Sequence, residues 1–79
     1  MPTKPANPMP AKQVFDNYFL ETRAKLIEIA ANLDRVDRAP NLIELRGDWR
    51  LTFVDEALKI LQSPGPNRAE QIQRLYSKS

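Results

Sequence analysis

The sequence predicts an all-α fold in which a long N-terminal helix is packed by two shorter helices, as a helical hairpin or three-helix bundle completed by oligomerisation. Three observations point to this fold. Residues 11–38 contain neither Gly nor Pro and carry apolar residues at alternating steps of four and three. Two shorter amphipathic segments follow, each preceded by turn-forming residues. No stretch alternates apolar and polar residues as a strand would.

Length and composition limit how such a fold can be stabilised. The chain has 79 residues, no Cys and no His, so disulfides and the common zinc sites are absent. Apolar residues make up 42% of the chain and charged residues 28%, which is ordinary for a folded protein. Because a core of this size is marginal alone, we expect self-association to supplement it.

The first ten residues are predicted to be a flexible or polyproline-like leader, separate from one helical domain over 11–79. Four of the seven prolines, Pro2, Pro5, Pro8 and Pro10, lie here. Each proline removes a backbone donor and pushes the preceding residue toward extended geometry, so the leader cannot be helical. Pro10 is expected at the first turn of the helix that follows.

The long helix is predicted over residues 11–38, with a length of roughly 40 Å at the rise of an α-helix. Its apolar spacing is that of a heptad seam. We call these residues the first row: Phe15, Phe19, Thr22, Leu26, Ile29, Leu33 and Val36.

A second row follows the same rhythm one position along and consists of Leu20, Ala24, Ile27 and Ala31. The two rows together make the apolar surface wider than one neighbouring helix covers. Since one short chain offers few neighbours, the second row predicts an interface in a homo-oligomer, with a dimer favoured.

Pro40 is predicted to end the long helix, because the residue before a proline avoids helical geometry. Asn41 and Glu44 have the spacing of a capping box, which predicts a short turn over 41–46. Gly47 then offers a left-handed stop.

Asp48 is a good N-cap, and a second helix is predicted over 48–62. The Ser-Pro-Gly-Pro sequence at 63–66 ends it. Asn67, with a Glu three residues on, repeats the capping pattern and predicts a third helix over 67–77.

The stretch from Tyr18 to Arg38, YFLETRAKLIEIAANLDRVDR, resembles a helix in short bacterial proteins that have no assigned activity. The resemblance implies a bacterial, cytoplasmic and helical protein. It transfers no functional residue to this chain.

The absence of His and Cys removes the largest classes of active site, so we expect no catalytic residue, no cofactor and no enzymatic activity. Asp34 and Asp37 lie three apart on a helix and could share a cation such as magnesium, which gives an alternative metal or small-ligand site. A solvated salt-bridge face is favoured instead. The acid-first pairs that predict it are Glu21–Lys25, Asp34–Arg38, Asp55–Lys59 and Glu70–Arg74.

A second alternative is an auxiliary nucleic-acid binder that uses the basic ends of the chain: Lys4, Lys12, Arg68, Arg74 and Lys78. Nucleic acid is not the favoured partner, because acidic residues cancel the other basic residues in the middle of the chain. No apolar run approaches the roughly 18 residues of a membrane span, and no signal-peptide stretch opens the sequence, so we expect a cytoplasmic protein without membrane contact.

Trp49 begins the second helix and is interpreted as a lid on the core or as an anchor at an interface. The sequence therefore predicts a non-enzymatic module for self-association or protein–protein interaction, with a protein partner as a further expectation. The predicted interface residues are Leu20, Ala24, Ile27, Ala31 and Trp49.

Overall fold

The computed structural model describes residues 9–78, and every regular element in that range is helical. Helix α1 spans Ala11–Arg38, a short 3-10 helix spans Leu42–Leu45, α2 spans Trp49–Gln62 and α3 spans Arg68–Ser77. The predicted all-α class is confirmed, with three α-helices of which the first is the longest. The bounds of the three helices agree with the sequence prediction to within one residue.

The predicted leader falls largely on residues 1–8, which lie outside the described residues. Pro10 occupies the N-cap position of α1, one residue before the first turn, with φ −59° and ψ 153°. Its carbonyl accepts hydrogen bonds from the backbone N–H groups of Gln13 at 3.0 Å and Val14 at 3.1 Å. Pro10 has no backbone N–H to donate, but α1 loses no hydrogen bond, because N–H groups at this end of a helix have no acceptor within it.

The chain divides into two compact units, Met1–Pro40 and Asn41–Ser79. Helix α1 is the only regular element described in the first unit, and the 3-10 helix, α2 and α3 form the second. The predicted packing of α2 and α3 on α1, and with it a single domain over 11–79, stays a prediction.

Helix α1 runs for 28 residues because no Gly or Pro interrupts it. The two apolar rows lie on different sides of it. A helix turns about 100° per residue, so the second row lies roughly 150° around the axis from the first. This separation means that one neighbouring helix cannot cover both rows.

In the second unit, α2 and α3 pack against each other. Asp48 caps α2 as predicted, since its side chain accepts a hydrogen bond from the N–H of Arg50 at 2.9 Å. Gly47 has the predicted left-handed backbone, with φ 83°. The packed apolar side chains are half-buried: Phe53, Val54, Ala57, Leu58, Ile60, Ile72 and Leu75.

The capping boxes predicted at Asn41 and Asn67 are wrong. Both residues adopt left-handed backbone, with φ 63° and φ 80°, and neither side chain makes a capping hydrogen bond. Asn tolerates this conformation better than most residues with a side chain, and each of these asparagines directly follows a proline at a reversal of the chain. Their backbone carbonyls accept the first hydrogen bonds of the following helix, from Glu44 and Gln71 at 3.0 Å each.

Candidate interaction surfaces

No residue in the range 9–78 is buried. Sixteen large apolar side chains are exposed, and nine of them belong to α1. The described chain thus leaves much of its apolar surface in solvent, although burial of such surface normally stabilises a fold. The candidate functional sites of this protein are therefore its apolar surfaces.

The second row of α1 is open to solvent over most of its length. Leu20 is 74% exposed and Ile27 is 52% exposed. Ala24 is exposed as well, and Ala31 is half-buried. All four predicted interface residues of α1 are thus accessible to a neighbour along one side of the helix.

The first row of α1 is exposed at most of its positions too. Phe15 is 60% exposed, and its ring lies 5.5 Å from that of Phe19 between centroids. Leu33 is half-buried. Thr22 interrupts the row, and its hydroxyl donates a hydrogen bond to the carbonyl of Tyr18 at 2.9 Å.

Three rings from α2 and α3 form a second apolar surface, which we call the aromatic cluster: Trp49, Phe53 and Tyr76. Their centroids lie 6.3 Å apart for Trp49–Phe53, 5.9 Å for Trp49–Tyr76 and 5.5 Å for Phe53–Tyr76. Trp49 is 46% exposed and Tyr76 is 60% exposed. Trp49 therefore lies beside both other rings and still presents nearly half of its surface to solvent.

From the sequence, Trp49 is interpreted as a lid on the core or an anchor at an interface, and the contact of its ring with Tyr76 was not predicted. The spacing of four residues between Trp49 and Phe53 was a usable signal, because such residues are neighbours on a helix. Tyr76 carried no comparable signal. It joins the cluster only through the packing of α3 on α2, which local periodicity does not determine.

Charged side chains pair mostly within their own helices. Three of the four predicted acid-first pairs form, at 2.7 Å for Glu21–Lys25, 3.3 Å for Asp55–Lys59 and 2.7 Å for Glu70–Arg74. Asp34 and Arg38 lie in the described range but do not form an ion pair. The hydrogen bond from Lys25 and its positive charge lower the pKa of Glu21, and the hydrogen bond to Asp55 raises that of Lys59.

Asp48 and Arg50, which are two residues apart in the sequence, form an ion pair at the start of α2. The guanidinium donates two hydrogen bonds to the carboxylate, from Nε at 3.0 Å and from Nη2 at 2.7 Å. These bonds and that from the backbone N–H of Arg50 lower the pKa of Asp48 to about 2. The side chains of Asp48 and Arg50 are thus engaged with each other.

The alternatives based on charge find little support in the described residues. No group of three or more acidic side chains in residues 9–78 could hold a metal ion, and the pair Asp34 and Asp37 stays an untested prediction. Three of the basic side chains named for the nucleic-acid alternative have local partners. Lys12 pairs with Asp16 at 3.1 Å, Arg74 with Glu70 at 2.7 Å, and Arg68 donates to the carbonyl of Ser63 at 2.8 Å.

None of the helices within residues 9–78 combines the length and the apolar character that crossing a lipid bilayer requires. No protein-family model matches the sequence, and neither a curated protein nor a solved structure similar to it was found. The resemblance of residues 18–38 to helices of short bacterial proteins therefore stays an expectation.

Proposed function

We propose that this protein is a non-enzymatic helical module whose function is association with itself, as a dimer in which the second row of α1 contacts a second copy. The exposure of large apolar side chains along α1 carries this proposal, since none of residues 9–78 is fully buried. Contiguous apolar surface of this extent marks sites of protein–protein contact.

The energy available from the second row sets the concentration at which association is expected. Leu20 and Ile27 are both more than half exposed. A dimer would cover these two side chains in each of two copies. At about 1–2 kcal/mol for each side chain, the favourable free energy is roughly 4–8 kcal/mol before the entropic cost of association is subtracted. A micromolar dissociation constant needs about 8 kcal/mol after that cost, so Leu20 and Ile27 alone do not supply it. We expect a dimer at micromolar concentrations to cover further exposed apolar side chains as well.

The test is the mass of the protein in solution, measured by sedimentation over a range of concentrations. We expect the wild-type chain to exceed the mass of one 9.1 kDa protomer. Ile27→Glu places an unpaired charge in the proposed interface, which costs several kcal/mol when it is buried, so this variant should be monomeric. The matched control is Asn32→Glu, which adds the same charge to α1 outside both rows.

Two results would contradict the proposal. One is a wild-type protein that remains a monomer at high micromolar concentration. The other is an Ile27→Glu variant that assembles as well as Asn32→Glu does. Circular dichroism of both variants shows whether α1 remains helical, so that a loss of mass is not confused with a loss of structure.

A further inference from the structure

The aromatic cluster has the chemistry of a surface that binds proline-rich segments. Its three ring centroids lie within 6.3 Å of one another, with Trp49 46% and Tyr76 60% exposed. Surfaces lined by exposed aromatic rings bind extended Pro-x-x-Pro segments, which lose little entropy on binding because proline already restricts the backbone. The ring NH of Trp49 and the hydroxyl of Tyr76 provide polar groups beside the apolar faces.

The chain carries a segment of this kind in residues 2–8, outside the described range. Pro2, Pro5 and Pro8 follow one another at steps of three. A polyproline II helix has three residues per turn, so this spacing would bring the three rings to one side of the segment in that conformation. Neighbouring prolines would then stand about 9 Å apart along it.

We propose that the aromatic cluster binds one Pro-x-x-Pro repeat from residues 2–8 of a second copy of this chain. The size of the cluster matches a single repeat. Its ring centroids lie within 6.3 Å of one another and each ring extends about 3 Å beyond its centroid, so the cluster is about 12 Å across. That length covers two prolines about 9 Å apart but not three. This inference rests on the proposed self-association and assigns it a second contact, separate from the second row of α1.

Charge complementarity supports the same occupant. Lys4 is the only charged side chain in residues 2–8. Glu56 lies three residues after Phe53 on α2, so it shares a face with Trp49 and Phe53, and its side chain is 49% exposed. Lys59 lies 3.8 Å from Glu56 but closer to Asp55, at 3.3 Å, which leaves Glu56 able to attract a second cation.

The experiment uses Trp49, the only tryptophan of the chain, as a fluorescent probe. The receptor is the full-length variant Pro2→Ala, Pro5→Ala, Pro8→Ala, whose own leader no longer competes. The ligand is a synthetic peptide of residues 1–10. We expect a saturable change in Trp49 emission, with binding at least about tenfold weaker for a peptide in which the same three prolines are alanine, a loss of about 1.4 kcal/mol.

Matched variants in the same receptor locate the site. Tyr76→Ala should remove the response to the peptide, whereas Tyr18→Ala should keep it, because Tyr18 is a tyrosine of similar exposure, 57%, on α1. Circular dichroism confirms that both variants remain helical. In the wild-type chain, Trp49 emission should change with protein concentration, and in the triple Pro→Ala variant it should not.

Three results would overturn the inference. The first is an equal response to the two peptides, or no response to either. The second is loss of the response in Tyr18→Ala as well as in Tyr76→Ala. The third is a wild-type emission that differs from that of the triple Pro→Ala variant at every concentration, which indicates that the chain binds its own leader. The mass measurement is separate from this assay. A wild-type dimer that shows no peptide response would leave the proposed function standing and reject only the second contact.

Discussion

Asp48 has two roles at the start of α2. Its carboxylate accepts the N–H of Arg50 as an N-cap, and it forms two further hydrogen bonds with the guanidinium of the same residue. The capping bond needs only an oxygen acceptor, whereas the pairing with the guanidinium is strengthened by the negative charge. The two roles can therefore be separated by a substitution that keeps the oxygen and removes the charge.

Asp48→Asn is expected to change how stability depends on pH. The hydrogen bonds from Arg50 lower the pKa of Asp48 from 3.8 to about 2, so the unfolded state binds the proton more tightly than the folded state. The stabilisation is then fully present above pH 3.8 and is lost as the pH falls to about 2. Thermal unfolding should show the wild type more stable than Asp48→Asn at pH 6, with the difference vanishing near pH 2. A difference that persists at the acidic end would contradict this account.

Gly47→Ala tests the left-handed turn before α2. With φ 83° and no atom within 4 Å of the added Cβ, the variant meets no steric clash with neighbours and only the backbone penalty remains. We expect a loss of about 1 kcal/mol in the free energy of unfolding. Gly47→Asn is the matched control and should lose less, because Asn tolerates this conformation. Equal losses in chemical denaturation would show that the turn does not determine the effect.

At the scale of helices, the sequence predicted where each one lies but not how each one begins. The ends of the helices follow from features that act locally. Helix α1 contains no Gly or Pro and is followed by Pro40, and the Ser-Pro-Gly-Pro sequence at 63–66 ends α2. The capping boxes failed because Asn41 and Asn67 can either cap a helix or adopt left-handed backbone. Which of the two occurs depends on the direction in which the chain must turn, and that information is not local.

Phe53→Ala tests the packing of α2 on α3. The ring of Phe53 contacts both Trp49 and Tyr76, and the residue is half-buried. Its removal should lower the free energy of unfolding by about 2 kcal/mol and shift the emission of Trp49 toward that of a solvated indole. Phe15→Ala is the control, since its ring contacts Phe19 on α1, and it should leave the emission unchanged. The same shift in both variants would refute a specific role for the cluster.

For the molecule as a whole, periodicity could predict that α1 has apolar surface on two sides, because the rows follow from residue spacing alone. The predicted row of Leu20, Ala24, Ile27 and Ala31 is accordingly accessible in the structure. Tyr76 could not be assigned to a site in this way. It enters the aromatic cluster through contact between residues far apart in sequence, and no spacing rule relates it to Trp49.

Self-association should make thermal stability depend on protein concentration. A dimer gains about 1.4 kcal/mol for each tenfold rise in concentration, and for a chain of this size that raises the melting temperature by about 5 °C or more. Ile27→Glu should melt at the same temperature at every concentration. Melting curves at several dilutions check this, and a wild type whose melting temperature does not vary would argue against assembly.

The absence of a fully buried residue in 9–78 also determines how the backbone would exchange its amide hydrogens with heavy water. Helices with few buried apolar contacts open readily, so we expect fast exchange in a lone chain. A bound neighbour would add protection first to the amides beneath the side chains that it touches. The amides whose deuterium uptake slows with rising concentration would therefore trace the contact surface residue by residue.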